Sequence, residues 1–431
     1  MKKAILFFCL LASIIFIVAG CSKKDVDSKT DQKGLDALEA IEGVWNGTIN
    51  IPNQPLPIIL KFTEDKGMLS IPVQGLDNFP LSNVDLEDAD LKFGATIQGQ
   101  RITFDGKVEN DKISGTFTQM GQSFPFELVR GSVEETPDSG DAVEVQLEDG
   151  MMSGLLEMPK GDGPFPLVVI IAGSGPTDRN GNSPLIPGKN NSLKMLAEQL
   201  ADNGIASIRY DKRMIGENAK LGGKEEDLRF DDYIEDAAAW VNFAKADDRF
   251  SKVGIIGHSE GSLIGMVAAE KTDADMFISI AGPGRPINEV LLEQLEQQLP
   301  VNLLKESDDI LIQLKQGEQV KTVSTELQSI FRPSVQPYLI SWLKYDPAKE
   351  IQKIKAPVLI INGTRDVQVP ATDAERLHNA KEDSVLAIIQ NMNHVLKEAP
   401  EDREGNMATY MDPDLPLAEG LMEEILSFLK K

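Results

Sequence analysis

Cysteine is nearly absent from this chain of 431 residues, which contains only Cys9 and Cys21. Cys9 lies inside an apolar N-terminal segment, and Cys21 follows the end of that segment directly. The rest of the chain has no thiol for a disulfide, a nucleophile or a cysteine-based metal site. We therefore expect the folded part to be stabilised by burial of its core alone.

Basic residues and histidine are also scarce. Lysine and arginine total 43 against 68 acidic residues, which gives a formal net charge of −25. A surface of this sign repels phosphate backbones, so nucleic acid is not an expected partner. Because the chain has only three histidines, any catalytic imidazole must be one of them.

What is present is typical of a folded protein with several domains. The chain is 41% hydrophobic and 26% charged. These fractions exclude low-complexity disorder, collagen and a coiled-coil rod. The length allows two or three domains of ordinary size with a sizeable buried core.

The first twenty residues predict a secretory signal peptide. Lys2 and Lys3 precede an apolar run from Ala4 to Ala19, which is short for a membrane-spanning anchor, the alternative interpretation. The sequence Val18-Ala19-Gly20-Cys21 resembles the bacterial lipobox. This resemblance implies removal of residues 1–20, lipidation of Cys21 and anchoring in the bacterial cell envelope, outside the cytoplasm. Removal takes away two lysines and no acid, so the mature charge would be −27.

Composition and patterning divide the remaining chain into four parts. Residues 21–40 are mostly polar and predict a flexible tether. Residues 41–131 contain short alternating runs between turn residues, which predict a small antiparallel β-barrel or sandwich. Residues 132–141 form a polar linker, and residues 142–431 form a larger domain. The runs that predict strands in the β domain are Trp45–Ile51, Ile58–Phe62, Arg101–Asp105 and Phe124–Leu128.

The larger domain is predicted to be α/β, with a mostly parallel sheet covered by helices on both faces. A hairpin opens it, and buried-type strands then alternate with helical segments. The predicted strands are Leu167–Ile171, Ala206–Tyr210, Val253–Ile256, Met276–Ala281, Val358–Ile361 and Val385–Ile389, and the predicted helices include Ser192–Ala201, Tyr233–Lys245, one from Ser262, and Leu417–Leu429. Residues 285–354 interrupt this alternation and predict an inserted helical cap, because they are too long for a bare connection.

The segment Gly257-His258-Ser259-Glu260-Gly261 matches the G-x-S-x-G pattern of a nucleophile elbow. A buried strand precedes it and a helical segment follows it, which is the context that the pattern requires. A serine on such a tight turn exposes its hydroxyl at the carboxyl edge of the sheet. Ser259 is therefore the predicted nucleophile, with an ordinary strand–helix turn as the alternative.

A serine hydroxyl needs a neighbouring base, and the base needs an acid. His394 lies in the loop after the strand at Val385–Ile389, at the carboxyl edge of the sheet where the Ser259 hydroxyl is expected. His258 is inside the elbow, and His378 is in a helical segment that is expected to face solvent. Asp366 follows the strand at Val358–Ile361. The order Ser259, Asp366, His394 is the order of an α/β-hydrolase triad.

Residues 143–431 resemble the α/β-hydrolase superfamily through the elbow, the Asp366 segment and the His394 loop. The segment from Ala172 to Asn182 is similar to a loop of bacterial carboxylesterases close to the serine aminopeptidase-like hydrolases, with Ala172 in place of the usual histidine. The resemblance implies that the backbone N–H groups of Ser174 and Glu260 form the oxyanion hole. It also implies that the reaction needs neither a metal nor an organic cofactor.

Three functions follow from these observations. The leading hypothesis is a lipoprotein that hydrolyses a small-molecule carboxylic ester. The second is a serine peptidase of the same fold, in which Glu293, Glu296 or Glu318 of the cap would hold a substrate ammonium group. The third is a non-catalytic binding lipoprotein that uses its β domain. A calcium site at Asp178 is not expected, because Ser183 and Lys189 replace the required glycine and closing glutamate.

Overall fold

A computed structural model describes residues 41–430 apart from 52–55, 64–65, 72–75, 98–99, 132–137, 185, 187 and 297. The described residues form two compact units: 41–138 with Pro184–Gly188, and Ser139–Ser183 with the chain from Lys189 onward. The predicted signal peptide, Cys21, the tether and most of the linker lie outside the described residues. Within the described part, no helix is long and apolar enough to cross a membrane.

The N-terminal unit is one antiparallel sheet of nine strands, in the order β4-β3-β2-β1-β9-β8-β7-β6-β5. Strand β3 lies close to β5, so the sheet curls on itself. This architecture confirms the predicted antiparallel β domain. The strands are β1 (Gly43–Ile49), β2 (Leu56–Thr63), β3 (Lys66–Ile71), β4 (Leu76–Pro80), β5 (Ser82–Glu87), β6 (Asp90–Ile97), β7 (Gln100–Glu109), β8 (Lys112–Gln119) and β9 (Gln122–Gly131).

Alternation along the strands builds the core of this unit. In β7, Ile102 and Phe104 are buried, whereas Arg101 and Asp105 are exposed. Because successive strand residues point to opposite faces, one face of the sheet is apolar. Phe104 packs there against Phe93, with ring centroids 4.6 Å apart, and against Phe126 at 5.2 Å.

The second unit is built on an eight-stranded sheet, in the order β10-β11-β13-β12-β14-β15-β16-β17. Strands β10 and β11 form the predicted hairpin, β11 runs antiparallel to β13, and the strands from β13 to β17 are parallel. The strands are β10 (Asp141–Leu147), β11 (Gly150–Glu157), β12 (Phe165–Ile171), β13 (Ala206–Tyr210), β14 (Phe250–His258), β15 (Met276–Ile280), β16 (Val358–Gly363) and β17 (Val385–Ile389).

Eleven α-helices are described in this unit. They are α1 (Ser192–Asp202), α2 (Phe230–Lys245), α3 (Glu260–Thr272), α4 (Ile287–Glu296), α5 (Val301–Lys315), α6 (Gln328–Phe331), α7 (Gln336–Trp342), α8 (Pro347–Glu350), α9 (Ala371–Ala380), α10 (Arg403–Ala408) and α11 (Leu421–Leu429). Helices α4 to α8 lie in the segment predicted to be a helical cap. The fold confirms the predicted mostly parallel sheet with flanking helices.

Both faces of the central sheet are covered, as its continuous apolar strands require. Val169 and Ile171 of β12 belong to a core with helices α2 and α3, whereas Val168 and Ile170 belong to a second core with α1 and α11. Because β12 to β17 run parallel, the carboxyl ends of these six strands lie at one shared edge of the sheet.

Three helix starts differ from the sequence prediction. Helix α3 begins at Glu260, directly after Ser259, instead of Ser262. The other two differences have identifiable reasons. Helix α2 begins at Phe230, three residues before the predicted Tyr233, because the Asp232 carboxylate accepts the backbone N–H of Arg229 at 2.7 Å and caps the helix. Helix α11 begins at Leu421 instead of Leu417 because Gly420 adopts a φ of 85°, which a continuing helix does not allow.

Candidate active site

Ser259 occupies the sharp turn between strand β14 and helix α3. Its φ of 55° and ψ of −121° are unfavourable for a residue with a side chain. The turn is held by the Ser259 N–H, which donates to the Ile280 carbonyl at 3.0 Å, and by the Ser262 N–H, which donates to the Ser259 carbonyl at 2.9 Å. The backbone is thus fixed in the strained conformation that presents the hydroxyl.

The two glycines of the pattern are required by close backbone contacts. A Cβ atom on Gly257 would lie 2.2 Å from the Gly261 carbonyl oxygen. A Cβ atom on Gly261 would lie 2.4 Å from the carbonyl oxygen of Ile171, at the end of β12. The elbow therefore packs against the neighbouring strand at a distance that only glycine permits.

The structure brings Ser259, His394 and Asp366 together. The Ser259 Oγ lies 3.1 Å from the His394 Nε2, and the His394 Nδ1 lies 2.8 Å from the Asp366 Oδ2. The other Asp366 oxygen accepts the backbone N–H groups of Gln368 at 2.8 Å and Val369 at 2.9 Å. The His394 and Asp366 side chains are almost fully buried, which excludes water from their hydrogen bond. This geometry allows a proton to pass from the hydroxyl to the imidazole.

The other two histidines lie outside this relay. His258 is buried, and its Nε2 lies 2.8 Å from the His394 carbonyl oxygen. Burial is the main reason that the pKa of His258 falls to about 4, with the nearby His394 as a second cause. The imidazole is therefore neutral, and its Nε2–H donates to that carbonyl. His378 is half-buried on α9, with its Nδ1 2.8 Å from the Ser384 Oγ, so the prediction that it faces solvent is only partly correct.

The loop after β12 places Ser174 beside the elbow. A Cβ atom on Gly173 would lie 3.2 Å from the Ser259 Cβ, so the loop approaches Ser259 closely. Ser174 itself is exposed, and its carbonyl accepts the Thr177 hydroxyl at 2.7 Å. Glu260, the residue after Ser259, begins helix α3. The two predicted oxyanion donors therefore come from segments on either side of Ser259.

Asp178 and Arg179 order this loop. The Asp178 Oδ1 accepts the backbone N–H groups of Asn180 at 2.9 Å and Asn182 at 2.8 Å. The Arg179 guanidinium donates to Glu217 at 2.8 Å. Within the described residues, no group of three or more histidine, cysteine, aspartate or glutamate side chains could hold a metal ion.

The cap is anchored close to the site by polar contacts. The Arg285 guanidinium, at the start of the cap, donates to the fully buried Asp373 at 2.7 Å, and Asp373 also accepts the Gly284 N–H at 2.9 Å. Gln294 of α4 donates to the carbonyl of Gln368, two residues after Asp366, at 3.1 Å. The cap thus contacts the loop that carries Asp366.

Sequence reasoning missed a buried ion pair beside Ser259. The Lys212 Nζ lies 2.9 Å from the Glu260 Oε2, and both side chains are 2% exposed. Lys212 follows β13 and is 48 residues from Glu260 in the sequence. The only available signal was a lysine at the carboxyl end of a buried strand, in a chain where most charged residues are acidic.

Fold and site together define an α/β-hydrolase of the serine hydrolase type. Residues 189–400, which include Ser259, Asp366 and His394, match the family model described as serine aminopeptidase, S33. Among curated proteins, esterase EstD of Thermotoga maritima is 28% identical over 333 residues, which cover 75% of each chain. The second unit therefore has the α/β-hydrolase fold, and the chain is similar to this family and to this esterase.

Solved structures that resemble this chain include Est1E and a proline iminopeptidase. Est1E from Butyrivibrio proteoclasticus, solved with bound ferulic acid, has 20% identity and a TM-score of 0.45, and the match covers 67% of this chain and 100% of Est1E. The proline iminopeptidase of Mycobacterium smegmatis has 13% identity and a TM-score of 0.42, with 59% of this chain and 92% of the peptidase covered.

Proposed function

We propose that the protein hydrolyses small-molecule carboxylic esters through an acyl-enzyme intermediate on Ser259. The observation that carries this proposal is the continuous relay from the Ser259 Oγ to the His394 Nε2 and from the His394 Nδ1 to Asp366. The similarity to esterase EstD supports esters as the substrate class.

The proposed reaction has two halves. The Ser259 Oγ attacks the acyl carbonyl while His394 accepts its proton, and Asp366 holds the imidazole in the reactive tautomer. The backbone N–H groups of Ser174 and Glu260 stabilise the oxyanion of the tetrahedral intermediate. His394 then protonates the leaving alcohol. Water, activated by the same imidazole, releases the acid and restores Ser259. None of these steps requires a metal or an organic cofactor.

A peptidase activity is the second candidate, because the matching family model is described as serine aminopeptidase. The cap carboxylates that could bind a substrate ammonium group give it little support. Glu293 is already in an ion pair with Arg285, and Glu296 and Glu318 are solvent-exposed. A charge in water binds an ammonium group weakly, so we favour esters.

The test uses two serines that differ in their contacts. Ser259→Ala should abolish both the hydrolysis of p-nitrophenyl acetate and labelling by a fluorophosphonate probe. Ser262→Ala is the matched control, because the Ser262 Oγ lies 2.7 Å from the Ser279 Oγ and takes no part in the relay. Full turnover by the Ser259→Ala variant would disprove the mechanism. Faster cleavage of aminoacyl-nitroanilides than of short acyl esters would favour the peptidase, and an unlabelled wild-type protein would favour a binding protein.

We also propose that Cys21 is lipidated and anchors the mature protein in the bacterial cell envelope. This proposal rests on the sequence Val18-Ala19-Gly20-Cys21 and on the signal-peptide pattern before it. Metabolic labelling with an alkynyl palmitate should mark the wild-type protein and leave Cys21→Ser unlabelled. Equal labelling of both forms would contradict it.

A further inference from the structure

Lys212 donates hydrogen bonds to both segments that flank the nucleophile. Its Nζ lies 2.5 Å from the Gly173 carbonyl oxygen and 2.9 Å from the Glu260 Oε2. The ammonium group also lies 4.9 Å from the centroid of the Tyr233 ring, a favourable position for a cation over an aromatic face. Three separate groups therefore hold one buried cation in place.

The Gly173 carbonyl belongs to a peptide unit with a proposed catalytic role. The N–H of that same peptide is the N–H of Ser174, the first proposed oxyanion donor. A cation that binds the carbonyl oxygen fixes the plane of the peptide and polarises it, which strengthens the N–H as a donor. Through the Glu260 carboxylate, Lys212 also contacts the residue that supplies the second donor.

The cap completes this cluster from the other side. The Tyr338 hydroxyl of α7 donates to the Glu260 Oε1. Burial, together with the charge of Glu260, raises the pKa of Tyr338 well above its usual value, so the hydroxyl remains protonated and acts as a donor. The Glu260 side chain is thus fixed by Lys212 on one oxygen and by the cap on the other.

We propose that Lys212 is a positioning residue for the oxyanion hole, and that it aligns the Ser174 and Glu260 N–H groups through the Gly173 carbonyl and the Glu260 carboxylate. The inference rests on the proposed function. Stability alone is a weak explanation of this pair, because apolar residues of similar volume can often replace a buried ion pair without loss of stability. The location of the pair, bound to both donor segments, points to catalysis.

The test separates transition-state stabilisation from substrate binding. An alkyl trifluoromethyl ketone forms a tetrahedral oxyanion with the active-site serine, so its Ki reports on the oxyanion hole. Lys212→Met should lower kcat for p-nitrophenyl acetate and raise this Ki, each by a factor of about 10 to 100. This effect is smaller than the loss of about 100- to 1000-fold in kcat that follows removal of an oxyanion-hole donor itself. KM should remain unchanged, and Lys212→Arg should restore part of the activity.

Two further variants guard against a simple loss of folding. Lys212→Met/Glu260→Gln leaves no unpaired buried carboxylate. Comparison of this double variant with Glu260→Gln isolates the loss of Lys212, and we expect the same rise in Ki at constant KM as in Lys212→Met. Lys245→Met is the matched control, because the Lys245 Nζ donates to the Thr272 and Asp273 carbonyls, at 2.9 and 2.6 Å, at the opposite end of α3. It should leave kcat and Ki unchanged.

The outcomes distinguish this inference from the proposed function. A change in Tm with no change in Ki or kcat, in both the single and the double variant, would show that Lys212 is only structural and would overturn the inference. The proposed function would survive that result as long as Ser259→Ala remains inactive. An active Ser259→Ala variant would instead disprove the mechanism itself.

Discussion

The two units of this chain bury different kinds of side chain. In the described part of the N-terminal unit, the buried residues are apolar apart from Ser70. The α/β unit buries many charged groups, which include Arg209, Lys212, Asp236, Glu260, Asp373 and Lys397. Both units are folded around apolar cores, so the charges are not needed to form a core.

Part of the buried charge lies near the carboxyl edge of the central sheet. Lys212, Glu260 and Asp366 all follow the carboxyl ends of parallel strands, where the loops of an α/β sheet meet. Taking a charge out of water is costly unless it is paired, and each of these groups has a close partner. Ion pairs of the N-terminal unit remain in water, as in Lys112–Glu127, whose side chains are 48% and 59% exposed. Part of the buried charge therefore marks the region where we place the chemistry, whereas Asp236 and Asp373 lie in helices α2 and α9.

The largest effect that follows from this comparison is expected at Asp366. In Asp366→Asn the remaining oxygen can still accept the N–H groups of Gln368 and Val369, so the loop should keep its shape. The new amide faces the His394 Nδ1 and favours the wrong imidazole tautomer. We expect kcat for p-nitrophenyl acetate to fall by about 10⁴-fold with little change in Tm.

The control for this substitution is Asp402→Asn. Asp402 caps helix α10 by accepting the Gly405 N–H at 2.8 Å, and asparagine caps a helix equally well. The same chemical change should therefore leave kcat unaltered there. If Asp366→Asn retains most of its activity, the relay is not the route of proton transfer.

A smaller effect, on stability alone, is expected in the N-terminal unit. Phe104 is 1% exposed and packs against three other phenylalanine rings, Phe93, Phe117 and Phe126. Phe104→Ala should destabilise this unit by about 3–5 kcal/mol, because it removes apolar contacts and leaves a cavity. Faster hydrogen exchange, measured by mass spectrometry on peptides from β6 to β9, would report this loss.

The neighbouring Asp105 supplies the control for Phe104. Its ion pair with Lys92 is solvent-exposed, so Asp105→Ala should cost at most about 1 kcal/mol. Neither variant should change kcat for the ester. A parallel loss of esterase activity in Phe104→Ala would contradict the view that the β unit takes no part in the reaction.

Local patterns in the sequence were sufficient for the fold class and for the candidate triad. The G-x-S-x-G pattern between a buried strand and a helix located Ser259, and the scarcity of histidine left few choices for the base. In the β unit, alternation identified strands that coincide with β1, β2, β7 and β9. Strands such as β3 and β6 were not predicted. In β3, Gly67 occupies a buried position where the alternation calls for a larger apolar side chain.

Contacts between distant residues could not be predicted from local patterns. The Lys212–Glu260 pair and the Tyr338 contact join residues 48 and 78 positions apart. Nothing in the sequence near Lys212 indicates that its side chain is buried. The hydrogen bond from His258 to the backbone of His394 likewise spans 136 positions. Such contacts depend on the packing of loops and the cap, which only the three-dimensional structure specifies.

His258 should make the stability of the α/β unit sensitive to acid. This effect is expected to be smaller than those of Asp366→Asn and Phe104→Ala. Burial lowers its pKa from 6.5 to about 4. Between these values the unfolded chain binds a proton that the folded chain excludes, so stability is full above pH 6.5 and falls as the pH is lowered towards 4. The expected loss over this range is about 3 kcal/mol. His258→Gln should reduce the slope of the free energy of unfolding against pH by about one proton, and it keeps a donor for the His394 carbonyl.

The measurement is urea unfolding at a series of pH values, with His378→Gln as the control for the loss of an imidazole elsewhere in the same unit. If His258→Gln leaves the slope of the free energy of unfolding against pH unchanged, the His258 imidazole is also protonated in the folded state below pH 6.5. It would then lie as a second cation beside His394, with ring centroids 4.9 Å apart, and would disfavour the imidazolium that the proposed reaction forms. A neutral His258 avoids that repulsion, so its burial next to His394 is compatible with the proposed role of His394 as the base.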